Sequence, residues 1–181
     1  MTEFSFPFKK VVLASHNAGK IAEFQTMFAR YDVKIVGADA VGLPEPEETE
    51  DTFEGNALLK AQHACEITAI PCLADDSGLS VTALGGAPGV YSARYAINDK
   101  GEKDFNVAMK KLWDEIGDNP DKSAKFVAVL ALVHPDGMEY VARGEVEGQL
   151  CYPARGEYGF GYDPIFMPED ETKTFGELGA E

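Results

Sequence analysis

The chain has 181 residues, of which 45% are hydrophobic, so it is long enough for one domain with a sizeable core. Its 16 Lys and Arg residues stand against 31 Asp and Glu residues, and the net charge of -15 predicts a surface that repels a nucleic-acid backbone. Because the sequence contains neither a membrane-spanning apolar segment nor a signal-peptide core, and its three cysteines lack metal-ligand spacing, we predict a cytoplasmic protein with reduced thiols and no nucleic-acid or membrane partner.

Apolar periodicity and turn-forming residues predict that strands and helices alternate along most of the chain. In chain order, the predicted elements are a strand at residues 10–14, a helix at 20–30, a short strand near 33–36, a long helix at about 53–68, a strand at 72–74, a helix near 103–116 and two long strands within 124–150. An acidic loop with prolines precedes the long helix, and a Pro-Asp-Gly turn joins the last two strands. This order predicts a mixed α/β fold.

The stretch ASHNAGKI connects the first predicted strand to the first predicted helix. It is not a Walker phosphate loop, because Ala14 and Ile21 stand where that loop needs a glycine and a hydroxyl. A helix start still offers backbone N–H groups to an anion, and Lys20 adds a charge while Ser15 and Asn17 add short hydrogen-bonding side chains. The alternative is a capped turn with a solvated lysine, and this stretch alone favours neither interpretation.

The stretch LADDSGLSVTALGGAPGVYSARYA carries two adjacent carboxylates, Asp75 and Asp76, followed by Ser77 and Gly78. Neighbouring side chains on a strand point to opposite faces, so at most one of the two carboxylates should face a common pocket. Asp-Asp-Ser-Gly is also typical of an ordinary tight turn, and these residues alone favour the turn. Arg94 follows a glycine cluster, where it could bind a phosphate or form a surface ion pair.

Asn56 and Lys60 are four residues apart on the long helix and therefore share one face. A solvated face is the ordinary position for a lysine, and a position that faces a pocket is the alternative for Lys60. Its neighbours in the sequence are apolar and it starts no ladder of alternating charges, which keeps the second interpretation open.

The stretch GEYGFGYDPIFMPED alternates small residues with aromatic ones around Asp163. An aromatic ring at a glycine-rich rim can stack on a nucleobase while a carboxylate reads the base edge. Core packing is the competing interpretation, which is strong for Phe166 and weaker for Phe160 between its two glycines.

Four motifs in this order resemble those of one family, the inosine/xanthosine triphosphate pyrophosphatases, also called Ham1-like. The motifs are SHNAGK, ETEDTFEGNALLKA, DDSGLSVTALGGAPGVYSARYA and FGYDPIF. The resemblance extends from about residue 10 to residue 177, and four motifs in one order are very specific. It implies a single domain over residues 1–181, with a mixed, elongated central sheet, flanking helices and two lobes around an active-site cleft.

The resemblance also implies an activity, which is hydrolysis of ITP, dITP or XTP to the monophosphate and pyrophosphate to cleanse the nucleotide pool. It implies Mg²⁺ as cofactor, held by Glu48 and Asp76, with Asp76 as the catalytic general base. The implied substrate-binding residues are Ser15, His16, Asn17, Ala18, Gly19, Lys20, Ser77, Phe160, Gly161, Tyr162 and Asp163. The supporting residues are Asn56, Lys60 and Arg94. The family resemblance further suggests a homodimer.

Two departures from the family pattern are visible. Family members commonly carry Glu where this chain has Gly55, and Glu54 points in another direction because it lies one residue earlier on the helix. The chain also stops at Glu181, before the lysine and the Ser-His-Arg motif with which the family grips the purine. Without that segment, weak discrimination among purines is expected. A nucleotide-binding but catalytically impaired member of the same family is the alternative interpretation.

Overall fold

The computed structural model describes residues 8–179, so both ends of the predicted domain, residues 1–7 and 180–181, lie outside the described residues. Among residues 8–179, six strands are present, namely β1 Lys10–Leu13, β2 Lys34–Gly37, β3 Cys72–Val81, β4 Ser123–Val133, β5 Glu139–Leu150 and β6 Phe166–Pro168. The α-helices of the same residues are α1 Ala18–Ala29, α2 Phe53–Thr68, α3 Ser92–Tyr95, α4 Phe105–Ile116 and α5 Phe175–Leu178. In this part of the chain, no helix is long and apolar enough to cross a membrane.

The strands form one sheet in the order β2-β1-β3-β4-β5-β6, with helices between them along the chain. This arrangement confirms the predicted mixed α/β class. The predicted Pro-Asp-Gly turn is also present, because the His134 N–H donates to the Met138 carbonyl at 2.9 Å and closes the connection between β4 and β5.

β3 differs most from its prediction. The Asp-Asp-Ser-Gly sequence predicts a turn after residue 74, but the strand continues to Val81. Its residues from Cys72 to Asp76 are all buried, and Leu79 and Val81 are completely buried beyond them. Burial of apolar side chains on a strand therefore outweighs the local turn preference of Asp and Gly, and the turn prediction is wrong.

The described residues divide into two compact units, which we call unit 1 and unit 2. Unit 1 contains residues 8–76 together with Val129–Arg143, and unit 2 contains Ser77–Ala128 together with residues 144–179. The number of units agrees with the two predicted lobes, whereas the predicted active-site cleft stays a prediction.

β1 is the central strand of unit 1, where it pairs in parallel with both β2 and β3. Val11 and Leu13 of β1 belong to an apolar cluster with Phe24 of α1 and Ile35 of β2. Leu13 is paired with Leu73 of β3 in this register. Because parallel strands end at the same edge of a sheet, the loop after β1 lies beside the stretch of β3 that carries the two carboxylates.

The core of unit 2 combines the end of β3 with α4 and the C-terminal segments. Its buried members are Leu79, Val81, Ala96, Ala108, Met109, Leu112, Ile116, Ala124, Leu150, Tyr162, Ile165 and Phe166. Three aromatic rings join the elements, since Phe126 of β4 and Phe175 of α5 have centroids 4.6 Å and 5.3 Å from that of Phe166. Such close ring pairs add specific contacts to the area that they bury.

α5 docks on the irregular loop at residues 151–162 through hydrogen bonds. Thr174, which caps α5, is completely buried and donates its hydroxyl to the Arg155 carbonyl at 2.7 Å. The Tyr158 N–H donates to the Gly176 carbonyl at 2.9 Å. Glu177 completes a capping box with Thr174, so the sequence Thr-Phe-Gly-Glu specifies the start of this short helix.

This docking predicts that Gly156 cannot be replaced. Gly156 has a φ of 84°, and a Cβ at this position would overlap the Gly176 carbonyl. We expect Gly156→Ala to lower the free energy of unfolding by about 2–4 kcal/mol, because strain and overpacking add together. Urea unfolding measures this difference.

Gly144→Ala is the matched control, because no described atom lies within 4 Å of a Cβ built at Gly144. This variant should change the free energy of unfolding by less than about 0.5 kcal/mol. Equal effects of the two substitutions would contradict the close approach of α5 to the loop.

Candidate active site

Lys60 of α2 contacts two carboxylates of unit 1. Its Nζ donates to Glu48 Oε1 at 2.7 Å and lies 3.9 Å from Asp76 Oδ1. Ala57, Ala61 and Ala64 form part of the buried face of α2, and only 14% of the Lys60 side chain is exposed. Lys60 is therefore mostly buried rather than solvated, and it joins the acidic loop, α2 and β3 at one point.

Asp76 is the buried carboxylate of this group, with 7% of the residue exposed. Its Oδ2 is buried and has no hydrogen-bond partner among the described atoms. The pKa of Asp76 is raised to about 6, chiefly because burial disfavours its charged form; Lys60 and Asn56 lower this pKa, and the neighbouring carboxylates Glu48 and Asp75 raise it. Asp76 is thus more basic than an ordinary carboxylate, which suits a group that must accept a proton near neutral pH.

Asp75 has a different partner from Asp76. It forms an ion pair with Lys20 in the first turn of α1, and 9% of the Asp75 side chain and 19% of the Lys20 side chain are exposed. This separation agrees with the alternation of side chains along a strand, which predicts that only one of the two carboxylates faces a common pocket. The residue pattern did not predict a counter-ion for Lys20. A lysine at the start of the helix after β1, together with a strand carrying two carboxylates, could have suggested this ion pair.

The start of α1 is capped by Asn17. Its Oδ1 accepts hydrogen bonds from the N–H groups of Gly19 and Lys20, at 3.0 Å and 3.2 Å. This cap explains why the helix begins at Ala18, two residues before its predicted start. The capped-turn alternative is therefore correct for these two amides, but the lysine of that turn is paired with Asp75 rather than solvated.

The remaining side chains of this loop also have local partners. Ser15 Oγ accepts the Asn17 N–H at 3.2 Å, and His16 Nδ1 lies 2.6 Å from Asp39 Oδ1. Ala18 and Gly19 are exposed. The loop thus presents a short polar surface at the same sheet edge as the Lys20–Asp75 pair.

Two carboxylates are too few for a closed metal cage. Among residues 8–179, no group of three or more His, Cys, Asp or Glu side chains is arranged to hold a metal ion. Mg²⁺ is commonly held by one or two carboxylates, with substrate phosphates and water as its other ligands. Glu48 and the buried, unpartnered Oδ2 of Asp76 therefore fit an open Mg²⁺ site.

Phe160 lies in the irregular loop of unit 2, and 57% of the residue is exposed. Its backbone N–H donates to Asp163 Oδ2 at 2.8 Å. A Cβ at Gly159 would overlap the same carboxylate, so only glycine fits beneath it. The contacts of Asp163 within this loop hold the backbone of Phe160, while the phenyl ring stays available for stacking.

Tyr162 belongs to the core of unit 2. Only 3% of this residue is exposed; its ring packs edge-on against Phe105 at 5.3 Å between ring centroids, and its hydroxyl donates to the Ser92 carbonyl at 2.9 Å. A substrate contact by this residue would have to come from the backbone, as for Gly161 beside it. Gly161 has a φ of 64°, which a glycine adopts without strain.

Ser77 and Arg94 are both exposed residues of unit 2. Ser77 follows Asp76 directly on β3. The Arg94 guanidinium lies 5.5 Å from the ring centroid of Tyr91. Arg94 therefore has an aromatic contact that the sequence did not predict.

Asn56 makes more contacts than the sequence predicted. It is 1% exposed, and its side chain bonds both the N–H and the C=O of Glu50 in the acidic loop. The sequence indicated only that Asn56 and Lys60 share one face of α2. The contact of Asn56 with the backbone of Glu50 could not be predicted, because a backbone contact requires no particular residue type in the loop. The predicted residues that unit 1 brings together are Lys20, Glu48, Asn56, Lys60 and Asp76.

Comparisons with known proteins identify the family. The model of the Ham1 family matches residues 11–181, which cover both units. The dITP/XTP pyrophosphatase of Gluconobacter oxydans is 51% identical over 172 residues, covering 95% of this chain and 81% of that protein. The dITP/XTP pyrophosphatase of Caulobacter vibrioides is also 51% identical over 172 residues, covering 93% and 86%.

Solved structures agree with this match. The Ham1 protein of Staphylococcus aureus superposes with a TM-score of 0.83 at 41% identity, covering 94% of this chain and 87% of that one. A HAM1 protein of Coxiella burnetii gives a TM-score of 0.84 at 39% identity, covering 93% and 86%. The chain belongs to the Ham1 family.

The raised pKa of Asp76 predicts an effect on stability. Because the folded chain binds this proton more tightly than the unfolded chain does, ionisation of Asp76 destabilises the folded chain. This destabilisation is absent below about pH 4 and complete above about pH 7. We expect Asp76→Asn to raise the free energy of unfolding by about 1–3 kcal/mol at about pH 8 and to have little effect at about pH 4. Urea unfolding of magnesium-free protein measures both values.

Asp75→Asn is the matched control, and its effect should have the opposite sign. Removing the Asp75 charge leaves the mostly buried ammonium of Lys20 without its counter-ion, which should cost about 2–4 kcal/mol at about pH 8. A loss of stability in both variants would contradict the different roles of the two carboxylates.

Proposed function

We propose that this chain hydrolyses noncanonical purine nucleoside triphosphates, namely dITP, XTP and ITP, to the monophosphate and pyrophosphate. The relatives with about half of their residues identical carry the name dITP/XTP pyrophosphatase. The observation that carries the proposal is the buried Asp76, whose raised pKa and unpartnered oxygen suit a general base. The alternative of a catalytically impaired member is not favoured, because Lys60 contacts both Glu48 and Asp76 and the two carboxylates act on the same group.

In the proposed reaction, a water molecule attacks the α-phosphorus of the triphosphate. A bond forms between the water oxygen and this phosphorus, and the bond from the phosphorus to the oxygen shared with the β-phosphate breaks, so that pyrophosphate leaves. Asp76 accepts the proton that the water gives up. Near neutral pH Asp76 is mostly ionised and ready for this step, because its pKa is about 6.

Glu48 and Asp76 would hold Mg²⁺. When bound, this ion would neutralise charge on the phosphates and stabilise the transition state. Lys60 partly neutralises the same two carboxylates, because its ammonium contacts both of them and lowers the pKa of Asp76. A net charge of -15 makes such local cations necessary, since the protein as a whole repels a triphosphate.

Lys20 is the proposed partner of the phosphate chain. It extends from the first turn of α1, where a helix dipole also favours an anion. Asp75 holds its ammonium in place before substrate binds, so that a phosphate would share or replace a contact that already exists. Ser15 and Asn17 are proposed to contribute hydrogen bonds from the same loop.

Phe160 is the proposed stacking residue for the purine base. Its exposed ring is carried by a loop whose backbone is fixed by Asp163 and by α5. Stacking on an aromatic face adds binding energy for any purine, so it serves affinity more than the choice of base. We also propose that the protein is a cytoplasmic homodimer, which is supported by its three free thiols and by the family resemblance.

Pyrophosphate release tests this function. We expect the wild type to release pyrophosphate from dITP and XTP in the presence of Mg²⁺ and to lose this activity with a chelator.

Asp76→Asn should lower kcat by about 10²- to 10⁴-fold, which is the usual contribution of a general base. Asp75→Asn should lower kcat much less, because its carboxylate binds Lys20. Faster hydrolysis of dATP than of dITP would contradict the proposed substrate class.

The role of Phe160 can be tested with a neighbour in the same loop. We expect Phe160→Ala to raise the KM for dITP about 5- to 50-fold, because a base–ring stack contributes about 1–3 kcal/mol. Tyr158→Ala is the control, since Tyr158 is 62% exposed and also aromatic. Steady-state kinetics of both variants measure the difference, and equal KM values would assign the base contact to another residue.

A further inference from the structure

The acidic loop at residues 43–52 carries Glu48 but has no regular secondary structure. Its beginning is tied to the preceding turn by the Leu43 N–H, which donates to the Ala38 carbonyl at 3.0 Å. Its end is held by α2, through two residues of the first turn of that helix. A loop that supplies a metal ligand needs such anchors, because an irregular backbone has no ladder of its own to fix its shape.

Asn56 is the first of these anchors. Its Oδ1 accepts the Glu50 N–H at 3.0 Å, and its Nδ2 donates to the Glu50 carbonyl at 3.1 Å. One buried side-chain amide thus satisfies both backbone groups of a single loop residue. The same side chain also lowers the pKa of the Asp76 carboxyl. Asn56 therefore binds the loop that carries Glu48 and interacts with the carboxylate that β3 supplies.

Gly55 is the second anchor, and it acts through the space that it leaves. A Cβ at this position would lie 2.7 Å from Cβ and 2.9 Å from Cγ of Glu50, and 3.0 Å from Oγ1 of Thr52. Gly55 is an ordinary helical residue whose φ is not positive, so its backbone conformation does not require glycine. Glycine is needed because the Glu50 side chain lies directly against the bare first turn of α2.

We propose that Gly55 and Asn56 form a clamp on Glu50 that positions Glu48 for Mg²⁺ binding beside Asp76. We call these two residues the Glu50 clamp, and their assignment as positioning residues rests on the proposed function. Glu48 is two residues before Glu50, so a shift of the clamped backbone moves the Glu48 carboxylate with it. Lys60 follows Asn56 by four residues, so the same face of α2 binds the loop backbone through Asn56 and the Glu48 side chain through Lys60.

Gly55→Ala tests the clamp, because it adds one methyl group where Glu50 lies. We expect the half-saturating Mg²⁺ concentration for pyrophosphate release to rise about tenfold, as for other residues that orient metal ligands, while kcat at saturating Mg²⁺ stays within about threefold. The rise of the unfolding temperature on adding Mg²⁺ alone should become smaller, which measures binding without turnover. The Glu50 amide should exchange hydrogen faster.

Glu50→Gly provides the rescue, because it removes the two Glu50 atoms, which are the nearest atoms that the added methyl group would meet, and keeps the backbone groups that Asn56 binds. The variant with both Glu50→Gly and Gly55→Ala should regain the wild-type Mg²⁺ response. Glu54→Ala is the control. It removes a carboxylate from the same helical turn, but this carboxylate pairs with Arg143 and not with the acidic loop. It should leave the Mg²⁺ response unchanged.

Three results would overturn the clamp. The first is an unchanged Mg²⁺ response in Gly55→Ala, and the second is a weakened response that Glu50→Gly fails to rescue. The third is a wild type whose unfolding temperature does not respond to Mg²⁺, because there is then no ion for Glu48 to hold. Failure of the proposed function gives a different result, since a wild type that binds Mg²⁺ but releases no pyrophosphate would leave the clamp intact.

Discussion

Two adjacent buried carboxylates on β3 impose the main constraint on unit 1. An ionised carboxylate away from water is costly unless a cation lies beside it, and this chain has only 16 Lys and Arg residues. Because side chains alternate along a strand, Asp75 and Asp76 lie in different surroundings, and one lysine cannot lie close to both carboxylates. The fold supplies Lys20 from α1 and Lys60 from α2. The positions of both helices relative to β3 are thereby tied to the chemistry of the strand.

The class of fold and most elements could be predicted, because apolar periodicity in α2, β4 and β5 is long enough to identify each element. The continuation of β3 could not be predicted, since Asp-Asp-Ser-Gly has a local turn preference and the burial of Leu79 and Val81 depends on distant residues. α5 was missed although its capping-box signature, from Thr174 to Glu177, is readable in the sequence.

The candidate site was predictable where one motif fixes one role. The motifs identified Lys20, Lys60 and Asp76, and the structure brings each into a charged contact. What the residues could not reveal is the partner of each group. Lys20 meets Asp75, Asn17 caps two amides, and the Asp163 carboxylate accepts a backbone N–H of its own loop. Such pairings depend on distances of a few ångströms between segments far apart in sequence, and patterns of residue type do not encode them.

The docking of α5 has a consequence for the thermodynamics of ligand binding. The loop of Phe160 receives its shape from Thr174, Gly176 and Asp163 when the protein folds. The conformational entropy of that loop is therefore lost during folding rather than during the encounter with a nucleotide. Binding then restricts little more than the two torsions of one phenyl ring. A weakened α5 contact would return that entropic cost to the binding step, and its effect would be found in the dissociation constant rather than in the rate of bond cleavage.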